Sequence, residues 1–197
     1  MSLSSEPTGL VVLDFETTGL SVFQDRIVSV AASCGDKRFY SLVSPGVPIP
    51  AAASRVHGFF DADVARAPAW ADVALELFDF VTEHGGSRPA LVAYNGSRYD
   101  FPLLVNETKR AGVGAGVRCK LDQLYGCDPY QLARDKLPKT MPSKRLGNVY
   151  KHLFGEEMQG AHTADGDVAA LARICAHESI APHLAKYTVR FALDKLV

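Results

Sequence analysis

Residues 11–20 read VVLDFETTGL, and this stretch decides how the chain folds. Val11, Val12, Leu13 and Phe15 put apolar groups on both faces of an extended segment, as in a central strand covered on both sides. Asp14 and Glu16 lie two apart, so on a strand they face the same side. Two adjacent carboxylates repel, and apolar surroundings raise the cost. No Lys or Arg stands beside either in the sequence. A pair of divalent metal ions would supply the missing charge. The other reading ends the strand at Leu13 and leaves both acids exposed in a turn with Gly19. The stretch alone leaves the two open.

Outward from it, residues 8–15 are the first strand, 25–34 (DRIVSVAASC) the second and 37–43 (KRFYSLV) the third. Gly35-Asp36 reads as a tight hairpin turn, so the three form an antiparallel meander. The proline-bearing stretch 44–50 is a loop. Residues 70–84 carry Val73, Leu77, Phe80 and Val81 on one helical stripe, closed by Gly85-Gly86. Residues 90–94 (ALVAY) are a short buried strand. A helix over 102–111 ends at Gly112, and 117–124 is the fifth strand. Helices over 144–153, 164–178 and 182–196 follow. Strands first, then strands alternating with helices, predict an α/β fold with one mixed five-stranded sheet flanked by helices. The chain of 197 residues is expected to form a single domain over 1–197.

A hydrophobic content of 47% with 22% charged residues suits a globular protein and argues against disorder. No apolar run approaches the ~20 residues that span a membrane. The opening MSLSSEPTG has no basic or apolar signal region, which predicts an intracellular, unsecreted protein of cytoplasm or nucleus. Cys34, Cys119, Cys127 and Cys175 show no CxxC spacing and read as reduced thiols. Charge is unevenly spread: residues 1–100 carry net −5 and residues 101–197 net +4. Segment 134–151 (RDKLPKTMPSKRLGNVYK) holds six basic residues and one acidic. It reads either as a solvated loop between helices or as a patch that tracks a phosphate backbone.

Three more residues bear on chemistry. Asp100 precedes Phe101-Pro102, the pattern of a helix N-cap, and a cap aspartate at a strand end also reaches a cleft. His162 and Asp167 are five apart, about 140° on a helix, so they diverge within one. With Thr163 as N-cap, His162 falls in the preceding loop and Asp167 in the first turn. Asp167 then heads a stripe containing Leu171 and Ile174, where a carboxylate serves packing poorly. Asp165 complements the helix dipole. Four carboxylates with a histidine suit two-metal phosphoryl chemistry. Hard oxygen ligands select two Mg²⁺ or Mn²⁺ ions, and neutral histidine is suited to deprotonate a water.

The motifs DFETTGL (14–20), NGSRYDFPLL (95–104) and HTADGDVAAL (162–171) resemble the three signature motifs of the DEDDh family of 3′→5′ exonucleases, in the right order. Together with KRLGNVYKHLFG (144–155) they look like the three-prime repair (TREX-like) branch. The likeness covers roughly residues 8–178. It implies a ribonuclease H-like sheet. It also implies Asp14, Glu16, Asp100 and Asp167 as metal ligands, with Asp14 bridging both ions, and His162 as general base. Thr17, Thr18 and Leu20 would meet the terminal nucleotide, with Leu20 wedging against its base. Tyr99 would line the same pocket, Val56 pack on the base from the other side, and Arg98 touch a phosphate or stand at the rim. The chain departs from the vertebrate pattern: only CGDKR stands where a proline-rich insertion is expected, a long C-terminal extension is missing, and Tyr94 replaces a histidine.

The resemblance implies a metal-dependent 3′→5′ exonuclease releasing 5′-mononucleotides from DNA, preferably single-stranded. The alternatives are an exoribonuclease of the same family and a catalytically weak nucleic-acid-binding module. Nucleic acid is the expected partner, DNA ahead of RNA, with no membrane. A homodimer through strand 37–43 is implied by the family likeness, although Lys37 and Arg38 at the strand start oppose edge pairing.

Overall fold

A computed structural model of the chain describes residues 7–113 and 124–190. Its central strand, β1, spans Gly9–Thr17 and therefore runs past Leu13 through both acids. Leu10 and Val12 face one side of the sheet, and Val11, Leu13 and Phe15 the other. β2 (Ile27–Cys34) pairs antiparallel with β1, placing Asp14 opposite Ala31 and Glu16 opposite Ser29. The register slips between Glu16 and Thr17, an irregularity that turns the strand end away from the ladder. β3 (Lys37–Leu42) follows through the Gly35-Asp36 turn, where Gly35 has φ 59°. β4 (Pro89–Val92) and then β5 (Tyr125–Cys127) add parallel on the other side of β1. β6 (Thr188–Arg190) closes that edge antiparallel to β5, giving the order β3-β2-β1-β4-β5-β6.

Helices cover both faces. α1 (Ala51–His57), α2 (Asp61–Val64) and α3 (Trp70–His84) come between β3 and β4, and α4 (Asp100–Arg110) follows β4. Trp70, Leu77, Phe78 and Val81 of α3 and Leu104 of α4 bury Leu13 and Phe15, with Phe15 edge-on to Trp70 at 5.9 Å. On the opposite face lie α5 (Pro129–Lys136), α6 (Leu146–Phe154) and α7 (Ala164–Ala176). Val168, Leu171 and Ile174 of α7 pack on Val12, Ala31 and Val92. The apolar stripe of α7 thus matches the first half of β1, and its first turn arrives where β1 changes from Val12 to Asp14 and Glu16.

The mixed α/β sheet agrees with expectation, but among the described residues it has six strands rather than five. The expected helix over 182–196 is instead a 3₁₀ segment, Ala181–Tyr187, followed by β6. Thr188-Val189-Arg190 is short and β-branched, and the open edge of β5 offers it a partner. The part of that expectation from 191 onward lies outside the described residues. So does the expected strand over 117–124, apart from Leu124, which is buried and outside any strand; the strand at this place is Tyr125–Cys127. α1, α2 and α5 were not expected. Cys34, Cys127 and Cys175 are free thiols, and Cys119 lies outside the described residues. No helix among the described residues is long and apolar enough to cross a membrane.

Candidate active site

Three of the four singled-out carboxylates meet. Oxygens of Asp14, Glu16 and Asp167 all lie within 4.8 Å of one another. β1 supplies the first two on one face, and the first turn of α7 brings the third across the top of the same face. Thr163 caps this helix by accepting the Gly166 N–H at 3.1 Å, as expected. Position 166 admits only glycine here, because a Cβ would stand 2.1 Å from the Gly160 carbonyl oxygen. The preceding loop folds tightly onto the helix start for that reason.

The electrostatics are those of a site short of positive charge. Burial holds the Asp14 carboxyl well above its ordinary range, and the charges of Asp100, Asp167 and Glu16 add to this. Glu16, buried on the sheet, is pushed up to about 7 by burial and then by Asp167. Asp100 also rises to about 7, mainly through burial, against the pull of its own backbone N–H; Asp128 and Glu16 raise it further. Asp167 is raised by burial and held back by His162, through its charge and its backbone N–H. Carboxylates drawn together with mutual repulsion and little offsetting charge fit hard divalent cations.

Asp100 is placed differently from a cap. Tyr99 occupies the N-cap position of α4, and Asp100 is the first helical residue, 4% exposed. It lies outside the tight cluster of three, near enough for its charge to act on Asp14. His162 stands in the loop before Thr163, exposed and with φ 64°, a left-handed conformation that non-glycine residues rarely take.

Beyond Glu16 the strand end opens into a cleft of about 390 Å³, within the span of small-ligand pockets. Thr17, Thr18, Leu20, Val56 and Tyr99 line it, five of the six residues singled out for the nucleotide. Tyr99 bridges the cleft wall: its hydroxyl meets Thr17 Oγ1 at 2.7 Å and donates to the Gly19 carbonyl. Burial pushes that hydroxyl up to about 12. Arg98 is exposed on the turn before α4 and does not line the cleft.

Two residues here escaped the sequence reading. His57 lines the cleft while its Nδ1 accepts the Phe59 N–H at 3.0 Å. Pro50 and Gly58 bracket α1 as start and stop signals, and reading them together locates this wall of the cleft. Asp128, 4% exposed, accepts the backbone N–H groups of Asn95 (2.8 Å) and Ser97 (3.2 Å), holding the turn that leads to Tyr99 and Asp100. Its sequence signal is an aspartate before Pro129, and it does cap α5 through the Tyr130 N–H. In the basic segment, Lys139 and Arg145 are exposed. The loop is tied down where Tyr94 donates to the Lys144 carbonyl at 2.6 Å. Tyr94 thus links the loop to the end of β4 beside the site.

The profile of the Exonuclease family (RNase_T) matches residues 11–175. Human three prime repair exonuclease 2 is 31% identical over 196 residues, covering 90% of this chain and 82% of its own length. Three-prime repair exonuclease 1 of Bos taurus is 30% identical over 203 residues, covering 84% of this chain. The chain spans only 62% of that bovine protein's length. Among solved structures, E. coli exonuclease I in complex with a dT13 oligonucleotide superposes with a TM-score of 0.71 over 91% of this chain and 43% of its own, at 19% identity. That likeness establishes the fold.

Proposed function

This chain belongs to the exonuclease family, and from that premise we propose that it is a metal-dependent 3′→5′ exodeoxyribonuclease. It releases 5′-mononucleotides from the 3′ end of DNA, single-stranded DNA by preference, and residues 1–197 act as one exonuclease domain. The observation that carries this reading is the meeting of Asp14, Glu16 and Asp167 within 4.8 Å, with Glu16 also lining the cleft. Asp14, Glu16, Asp100 and Asp167 would hold two Mg²⁺ or Mn²⁺ ions, which when bound clamp the attacking and leaving oxygens of an in-line displacement.

The chain's own residues do the rest. His162, next to the α7 entrance, takes the proton of the attacking water. Thr17, Thr18 and Tyr99 seat the terminal nucleotide. Leu20 and Val56 press on the faces of its base, and faces are common to all four bases, so cleavage is indifferent to sequence. Arg98 meets a phosphate at the rim, and the basic segment 134–151 tracks the strand beyond. DNA is favoured over RNA because the mammalian relatives are named repair exonucleases and exonuclease I was captured with an oligodeoxynucleotide. Among the described residues β3 lies at the sheet edge with no strand on its outer side, which supports a homodimer through that strand.

Digestion of matched 3′-labelled and 5′-labelled DNA and RNA oligonucleotides with Mg²⁺ tests the reading. The 3′ label should appear at once as mononucleotide, and the 5′-labelled DNA should shorten stepwise. Faster loss of RNA would make the chain an exoribonuclease, and no release from either would leave a binding module.

A further inference from the structure

We propose that Asn106, Glu107 and Arg110 of α4 are positioning residues for the loop that carries Leu20. The proposal rests on the reading of Leu20 as a wedge against the terminal base. Leu20 is 89% exposed and Phe23 61% exposed, so no core contact holds either side chain. A wedge works only if its backbone is fixed, and the fixing comes from two sides.

From within, the Asp25 carboxylate accepts from Thr18 Oγ1 at 2.9 Å and from the Ser21 N–H at 2.8 Å. Arg26 N–H donates to Thr18 Oγ1 at 3.0 Å. The knot is close around Gly19: a Cβ there would lie 2.6 Å from the Asp25 oxygens and would push that carboxylate off its partners. From outside, α4 grips the same loop. Asn106 Nδ2 donates to the Val22 carbonyl at 2.9 Å, and Arg110 donates to the Phe23 carbonyl. Glu107, only 1% exposed, takes Arg26 Nε on both oxygens at 2.9 and 3.1 Å, the Ile27 N–H at 3.3 Å, and Arg110.

A carboxylate this deeply buried is costly unless its lone pairs are engaged, and here the donors all belong to the loop, the start of β2 or α4 itself. Packing does not call for it, because Phe101, Leu104 and Val105 already seat α4 in the core. Buried ion pairs add little net stability, and their best-attested use is to fix one arrangement among several. The arrangement fixed here joins the helix that begins with Asp100 to the loop that follows Glu16. One helix therefore carries a candidate ligand at its start and, two turns on, sets where the wedge stands.

A double-mutant cycle between Glu107→Gln and Leu20→Ala tests this. The readouts are kcat and KM on single-stranded DNA, and hydrolysis of the ester bis(p-nitrophenyl) phosphate, which carries no base for Leu20 to press on. Glu107→Gln should lower kcat/KM on DNA by about 10-fold or more, as small misplacements do, with ester hydrolysis nearly unchanged. In the Leu20→Ala background Glu107→Gln should add little. Asn106→Ala keeps the ion pair and loses one bond to the loop, so it should give the same pattern in weaker form even if Glu107→Gln folds poorly. Additive losses, or equal losses on DNA and ester, would overturn positioning and leave Glu107 a structural residue. If the wild type digests no DNA at all, the functional reading fails and this inference with it; an active wild type with an additive cycle removes only the inference.

Discussion

Asp14 faces three other acids, and burial pushes its neighbours Glu16 and Asp100 both up to about 7. Their ordinary values are 4.5 and 3.8, so in the metal-free protein the folded state holds protons that the unfolded chain has released. Stability from these groups is complete at low pH and is lost as pH rises through about 4 to 7. A divalent cation bound to the deprotonated carboxylates would reverse the trend. The melting temperature in EDTA should therefore fall between about pH 5 and pH 8, and the rise caused by Mn²⁺ should be larger at the higher pH. An EDTA melting curve that does not move with pH, with an equal Mn²⁺ shift at both ends, would contradict the electrostatic picture. His162 differs from the acids in being exposed and assigned no ligand role. His162→Ala should cost roughly 10²–10⁴-fold in turnover while the Mn²⁺ shift persists; collapse of that shift would make it a ligand.

β1 and α7 show what was legible in the sequence. Val12 and Leu171 announce their burial by their spacing, and Asp14, Glu16 and Asp167 stand out because each interrupts such a pattern. The Thr163 cap, which fixes where α7 starts, was readable from the same rules. Other parts carried little local signal. β6 is three residues that look helical in context and become a strand because β5 leaves an edge to fill. α1 is brief and weakly patterned, so His57 was passed over although it walls the cleft. Glu107 carries no local signal of burial within the helix, and only the tertiary approach of Arg26, 81 residues away, shows it. The basic element 134–151 gave two readings that exposure alone does not separate. Charge removal at Lys139, Lys144 and Arg145 together should raise KM for DNA and flatten its salt dependence, with saturated turnover nearly unchanged. Loss of turnover at constant affinity would instead mean that the loop positions His162 and Asp167.

Across the whole molecule, one sheet organises both the chemistry and the surface. Its middle strand places the carboxylates where α7 arrives, and its first edge, β3, has no further strand beside it among the described residues. Pairing of two β3 strands would make a continuous sheet with the two clefts on separate subunits. Exposed Lys37 and Arg38 weigh against it, so the oligomeric state discriminates. Light scattering at micromolar concentration should give twice the monomer mass, and a monomer alone would end the dimer. The relatives are in part longer than this chain, but the carboxylates, the histidine and the cleft all lie within residues described here. The proposed activity requires the carboxylate site to be a metal-dependent hydrolytic centre. Its most direct test is mononucleotide release from 3′-labelled single-stranded DNA, comparing wild type with Mg²⁺, wild type with EDTA, and Asp14→Asn with Mg²⁺. Release should occur only in the first, with Asp14→Asn folded but slower by orders of magnitude. Undiminished release in EDTA or from folded Asp14→Asn would contradict the account.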